Sequence, residues 1–176
     1  LDTDVTYYAD IEIEDYGTIV IQLDQKAAPI TCANFVDLAQ MGYYDFLTIH
    51  SVIDGSMIQG GDPTIGGMIS VGRRIVGEFS ENGYDNPLSH TAGAISMIRG
   101  SDYNSASSAF SILRTDRTDM DGKYAVFGYV IEGMDVLDNI CNQVMADDKG
   151  YIEEENQPVI FSLYIREEEH EILEDI

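Results

Sequence analysis

The stretch YYDFLTIHSVIDGSMIQGGDP, residues 43–63, decides the fold. Its apolar residues fall into two short runs, Leu47–Ile53 and Met57–Gln59, which read as strands separated by a glycine-containing link. Gly60–Gly61–Asp62–Pro63 then reads as a turn, and Gly66–Gly67 as another. Neither is a phosphate loop, because no Gly-Lys-Ser/Thr follows.

Working outward, residues 7–13 and 18–23 alternate in polarity on either side of Asp15–Tyr16–Gly17, the pattern of a β-hairpin with an apolar inner face. Pro29 opens a helix to about Met41, since proline fits a first helical turn. Ala33, Phe35, Val36, Leu38 and Ala39 give that helix a buried side, and Gly42 stops it. Downstream, Ala94–Ile98, Phe110–Leu113, Ala125–Val130 and Val159–Ile165 read as strands. Gly133 precedes a second helix, about Met134 to Asn142. Many short strands with so few helices imply a closed β-barrel or a sandwich. Closure would remove exposed strand edges.

The chain has 176 residues, enough for one domain with a sizeable core, and no repeat or low-complexity linker divides it. Its net charge of −23 argues against nucleic-acid and anionic-membrane partners. The acids crowd the ends: Asp2, Asp4, Asp10, Glu12, Glu14 and Asp15 at one, Glu153–Glu155 and Glu167–Glu169 at the other. Such runs are expected to be solvated surface. Residues 96–125 are better balanced, with Arg99, Arg114, Arg117 and Lys123 against Asp102, Asp116, Asp119 and Asp121. Cys32 and Cys141 are too few for a disulfide framework. No apolar run reaches the roughly 18 residues of a membrane span. The acidic start suits an exported or lipid-anchored bacterial protein with its leader removed, with a cytoplasmic one as the alternative.

Generic site chemistries find little support. No serine sits in a Gly-x-Ser-x-Gly elbow, and His50, His90 and His170 have no evident Ser or Cys partner, so structural roles are expected. Asp119–Met120–Asp121–Gly122 hints at a calcium loop, but that register puts Arg117 first and Gly128 twelfth, where acids are required. No paired Cys/His spacing supports zinc. No metal or cofactor is called for.

Taken together, the segments resemble cyclophilins over about residues 7–165. TIVIQLDQKAAPITCANFVDLA (18–39) is similar to the family's opening strand and first helix. Residues 43–63 resemble F-H-R-x-x-x-x-F-M-x-Q-G-G-D. SHTAGAISM (89–97), SASSAFSIL (105–113) and DGKYAVFGYVIEGMDVLDNI (121–140) follow in the family's order. The resemblance implies a mainly β fold, a closed antiparallel cyclophilin-like barrel of about eight strands capped by two helices. It also implies peptidyl-prolyl cis-trans isomerase activity on a proline-containing peptide or protein segment, by a monomer. Its helices cap opposite barrel ends, so Cys32 and Cys141 are expected to be unpaired.

The reaction needs no covalent step. Rotation about an X–Pro bond must overcome about 18–20 kcal/mol of lost amide resonance. In the family an apolar pocket holds the proline ring, while backbone groups and a glutamine hold the flanking carbonyls. An arginine favours the pyramidal prolyl nitrogen of the twisted state, an electrostatic stabilisation.

Carried onto this chain, the arginine position is Ser51, and Met57 and Gln59 are retained. The groove positions are Ser56 and Ser111, where the family has phenylalanines, and Ala109, where it has a second glutamine. The backbone-binding edge is Ile98, Arg99 and Gly100. The rim is Asp119 and Met120, with Tyr124 at the pocket histidine. Each ring replaced by serine removes about 1.5–3 kcal/mol of possible apolar contact. Losing a well-aimed donor typically costs about 10²–10³ in rate. Isomerase activity is therefore expected to be weak or lost, and the alternative is a non-catalytic peptide- or protein-binding module on the same barrel. Arg99 is the residue that could stand in for the missing arginine.

Overall fold

A computed structural model of the chain describes residues 1–64 and 72–169. The Gly66–Gly67 turn and His170 lie outside the described residues.

The alternating segments at the start form a hairpin, β1 (Val5–Ile13) and β2 (Gly17–Leu23), paired antiparallel from Tyr8–Gln22 to Ile13–Gly17. Its turn uses left-handed backbone at Asp15 (φ 66°) and Gly17 (φ 123°). Helix α1 (Pro29–Gln40) ends before Gly42, whose φ of 71° no β-branched residue would tolerate. Then come β3 (Ile49–Ile53), β4 (Met57–Gly60), β5 (Ala94–Met97), β6 (Phe110–Leu113), β7 (Val126–Glu132), α2 (Met134–Gln143) and β8 (Ile160–Glu169).

The eight strands form one antiparallel sheet in the order β3-β4-β6-β5-β7-β2-β1-β8. Its end strands meet. Thr48 bridges Val159, Ile49 N donates to Pro158 O (2.8 Å), and Ile160 N donates to Leu47 O (2.8 Å). The sheet thus curls into the expected barrel. The closure explains why β3 begins at Ile49 rather than Leu47: residues 47 and 48 join the β8 edge. β8 runs past Ile165 to Glu169 because its partner β1 extends to Val5. Gly60 is a strand residue rather than a turn residue, and a side chain there would strike Thr48 O at 2.9 Å.

The interior is aromatic and aliphatic. Phe35 from α1 stacks on Tyr44 (5.2 Å), Phe127 (5.1 Å) and Phe110 (5.9 Å), all four fully buried. Helix α1 packs against β8, and α2 against β2 and β4. Nothing local caps α1, since its N-cap is Ala28. The buried Glu78, from the connection between β4 and β5, does so instead. Its carboxylate accepts from Thr31 N (2.6 Å), Thr31 Oγ1 (2.7 Å) and Ile30 N (3.2 Å). An anion at a helix N-terminus is favoured by both the free N–H groups and the dipole. Cys32 and Cys141 are free thiols, and burial pushes the Cys32 thiol far up.

Candidate functional site

The site is built on the outer face of β4, β5 and β6. Alternation along β6 sends Phe110 and Ile112 into the main core, and Ser111 and Leu113 to the opposite face. Ser111 stands opposite Gln59 on β4 and Ser96 on β5. Gln59 Nε2 donates to Ser111 Oγ (3.2 Å). A 3₁₀ turn at Thr118–Met120 folds the chain back over this face, placing Asp119, Met120, Lys123 and Tyr124 along its rim. The result is an open groove of about 420 Å³.

Of the residues assigned from sequence, Met57, Gln59, Ile98, Arg99, Ser111, Asp119, Met120 and Tyr124 line this groove. Ser51, Ser56, Gly100 and Ala109 do not. Ser51 is buried on β3, opposite Gln59 on one side and bridged to Tyr151 on the other. Ser56 is buried at the groove's end, where its hydroxyl donates to Ile53 O (2.9 Å). Gly100 N donates to Ser105 Oγ, and Ala109 O accepts from Ile98 N, continuing the β5–β6 ladder by one residue.

Arg99 is anchored. Its guanidinium donates to Lys123 O (2.9 and 2.7 Å) and Gly100 O (2.9 Å), and lies over the rings of Tyr124 (4.5 Å), Tyr103 (4.8 Å) and Phe79 (5.2 Å). These bonds and stacked rings hold it on one wall of the groove.

Sequence reasoning missed Arg117. It lines the groove and donates to both oxygens of Asp119 (2.9 and 3.0 Å) and, through Nη1, to Ser56 Oγ (3.3 Å). The hydrogen bond from Arg117 holds the Asp119 carboxyl below the usual range. The legible signal was the Arg117-x-Asp119 spacing beside a serine at an aromatic position. Lys123, also a lining residue, donates Nζ to Asp119 O (3.1 Å).

A second polar group gives His90 the structural role expected of it, with a serine partner that the fold supplies. His90 Nδ1 meets Asp121 Oδ1 (2.8 Å) and Nε2 meets Ser96 Oγ (2.8 Å). An ionised carboxylate only accepts, so Nδ1 bears the proton and Ser96 donates to Nε2. Burial pushes Asp121 up, but hydrogen bonds from Ser89 and His90 outweigh it and hold the carboxyl low. Burial lowers the His90 pKa despite Asp121. The order Ser–His–Asp is that of a nucleophilic triad. Here, however, both His90 and Ser96 are 1% exposed, so no substrate reaches them, and the group ties β5 to the 121 turn. His50 is buried as well, and burial lowers its pKa.

The chain is thus a curled eight-stranded barrel with an open groove across β4–β6. The family model described as "Cyclophilin type peptidyl-prolyl cis-trans isomerase/CLD" matches residues 8–162, and the chain belongs to that family. It is 38% identical over 129 residues to peptidyl-prolyl cis-trans isomerase ppi1 of Schizosaccharomyces pombe, covering 73% of this chain and 82% of that protein. It is 37% identical over 150 residues to peptidyl-prolyl cis-trans isomerase A of Dickeya dadantii, covering 82% and 76%. Among solved structures, a cyclophilin type isomerase of Cryptosporidium parvum in the presence of the dipeptide Ala-Pro superposes with a TM-score of 0.78. That match has 28% identity and covers 90% of this chain and 98% of the other. Fungi, a plant and a bacterium all supply relatives, so the likeness does not single out a bacterial source. Among the described residues, no helix is long and apolar enough to cross a membrane.

Proposed function

We propose that the groove binds an extended, proline-containing segment and isomerises its X–Pro bond slowly. The carrying observation is the convergence of Met57, Gln59, Ile98, Met120 and Tyr124 on one groove, on the face that the family resemblance assigns to substrate. A related structure obtained with Ala-Pro supports the same ligand class. Gln59 and the backbone at Ile98–Gly100 would hold the carbonyls flanking the proline. Slow turnover follows from Ser51, which supplies no cation, and from the anchoring of Arg99 on the wall. Protease-coupled or NMR-exchange measurement on an Ala-Pro peptide is expected to give kcat/KM at least about a hundredfold below a cyclophilin with the full site. Activity equal to that of such an enzyme contradicts the assignment of Ser51.

A further inference from the structure

The groove's charge is opposite to that of the molecule. The chain has nine Lys and Arg against 32 acids, yet Arg99, Arg117 and Lys123 all line this one groove with Asp119 as the lone lining carboxylate. Arg99 is spent on backbone carbonyls and rings. Arg117 is paired with Asp119, and Lys123 makes one contact, to a backbone carbonyl, so both keep donors to spare. The guanidinium of Arg117 has more N–H groups than its bonds to Asp119 and Ser56 use. Lys123 contacts the carbonyl of Asp119 and forms no ion pair within 4.0 Å among the described residues. Where a proline-binding pocket would have apolar walls, Arg117 Nη1 instead meets the hydroxyl of Ser56, and Gln59 meets that of Ser111. The Ser111 hydroxyl, an amide and two cations solvate a carboxylate better than they hold a hydrocarbon ring.

We propose that the groove selects proline-containing segments carrying an aspartate or glutamate beside the proline, with Arg117 as the specificity-determining residue and Lys123 as the supporting cation. This rests on the reading of the groove as a proline-segment site. The overall negative charge opposes such a ligand at long range. That repulsion is screened beyond about 8 Å at physiological salt, whereas contacts inside the groove are not. Local charge therefore decides which segment stays bound.

The test is a titration, by NMR or calorimetry at physiological salt, with matched hexapeptides bearing Glu, Gln or Lys immediately before or after one proline. The Glu peptide is expected to bind at least about tenfold more tightly than its Gln isostere, as a charge-assisted contact requires. Arg117→Gln should remove that preference, Arg117→Lys should keep part of it, and Lys123→Gln should reduce it by a smaller factor. Amide spectra of each variant establish that it is folded. Equal binding of the Glu and Gln peptides, with proline still required, overturns the acidic preference and leaves the proline reading standing. A Glu preference that persists when proline is replaced by alanine overturns the proline reading instead. Failure of every peptide to bind at millimolar concentration overturns both.

Discussion

The two faces of β6 illustrate different constraints on adjacent residues. Phe110 turns inward and meets Phe35 and Tyr44, with no exposed surface. Ser111, the next residue, turns outward into the groove and touches Gln59. Inward positions are fixed by close packing, in which any lost volume costs stability whatever the protein binds. The outward face is less uniformly packed: Leu113 is buried against Met57 and Val126, whereas Ser111 faces the groove and can change character while the barrel stays intact. At Ser111 the family resemblance implies a phenylalanine.

Truncating a residue on each face separates the two constraints. Phe110→Ala should cost about 3–5 kcal/mol of unfolding free energy, and Ser111→Ala about 1 kcal/mol or less, by denaturant titration. Similar losses at the two neighbours would show that the groove face is as tightly packed as the core. Next in size is Glu78→Ala, which leaves the α1 N–H groups and Thr31 without their acceptor. A loss of about 2–3 kcal/mol is expected, and a loss below about 0.5 kcal/mol would mean that water replaces the cap.

His90 makes the buried part of the barrel sensitive to pH. Its folded pKa lies below the ordinary 6.5 because burial disfavours the imidazolium. Below about pH 6.5 the unfolded chain binds a proton that the folded chain refuses, so stability falls as pH falls from there toward the folded pKa. His90→Gln should reduce the slope of that part of the stability–pH curve, leaving the share of His50, whose pKa burial also lowers. A His90 NMR titration midpoint at or above 6.5 would contradict the account. The smallest effect concerns Phe46, which is 70% exposed and held at φ 66°. Phe46→Gly should stabilise by up to about 1 kcal/mol through relief of left-handed strain, offset in part by loss of its contact with Phe161. A marked loss in thermal unfolding would show that this edge contact outweighs the strain.

The barrel was legible in the sequence because its signals are local or periodic. The polarity alternation of β1 and β2, Pro29 opening α1 and Gly42 ending it all act within a few residues. Strand ends were less legible, since β3 and β8 take their limits from each other across more than a hundred residues of chain. Most groove positions were found through the family resemblance. Arg117 was not, because its approach to Ser56 depends on the 3₁₀ turn at Thr118–Met120 folding back over β4. The His90–Ser96–Asp121 group was hidden for the same reason: only the fold brings residue 121 beside residue 90.

On the proposed reading the groove, not the barrel, limits catalysis. This is measured as kcat/KM on one Ala-Pro peptide for the wild type, Ser51→Arg, the pair Ser56→Phe and Ser111→Phe, and the triple variant. A donor gains little if the proline is not held, so the triple should exceed the product of the separate effects. A phenylalanine at position 56 would also displace Arg117 Nη1 from its 3.3 Å contact, so the triple should lose any preference for acidic peptides as it gains turnover. If Ser51→Arg alone restores most of the activity, the pocket was already formed and the account is wrong. A triple variant that stays folded and inert contradicts it equally, by placing the defect in the backbone at Ile98–Gly100.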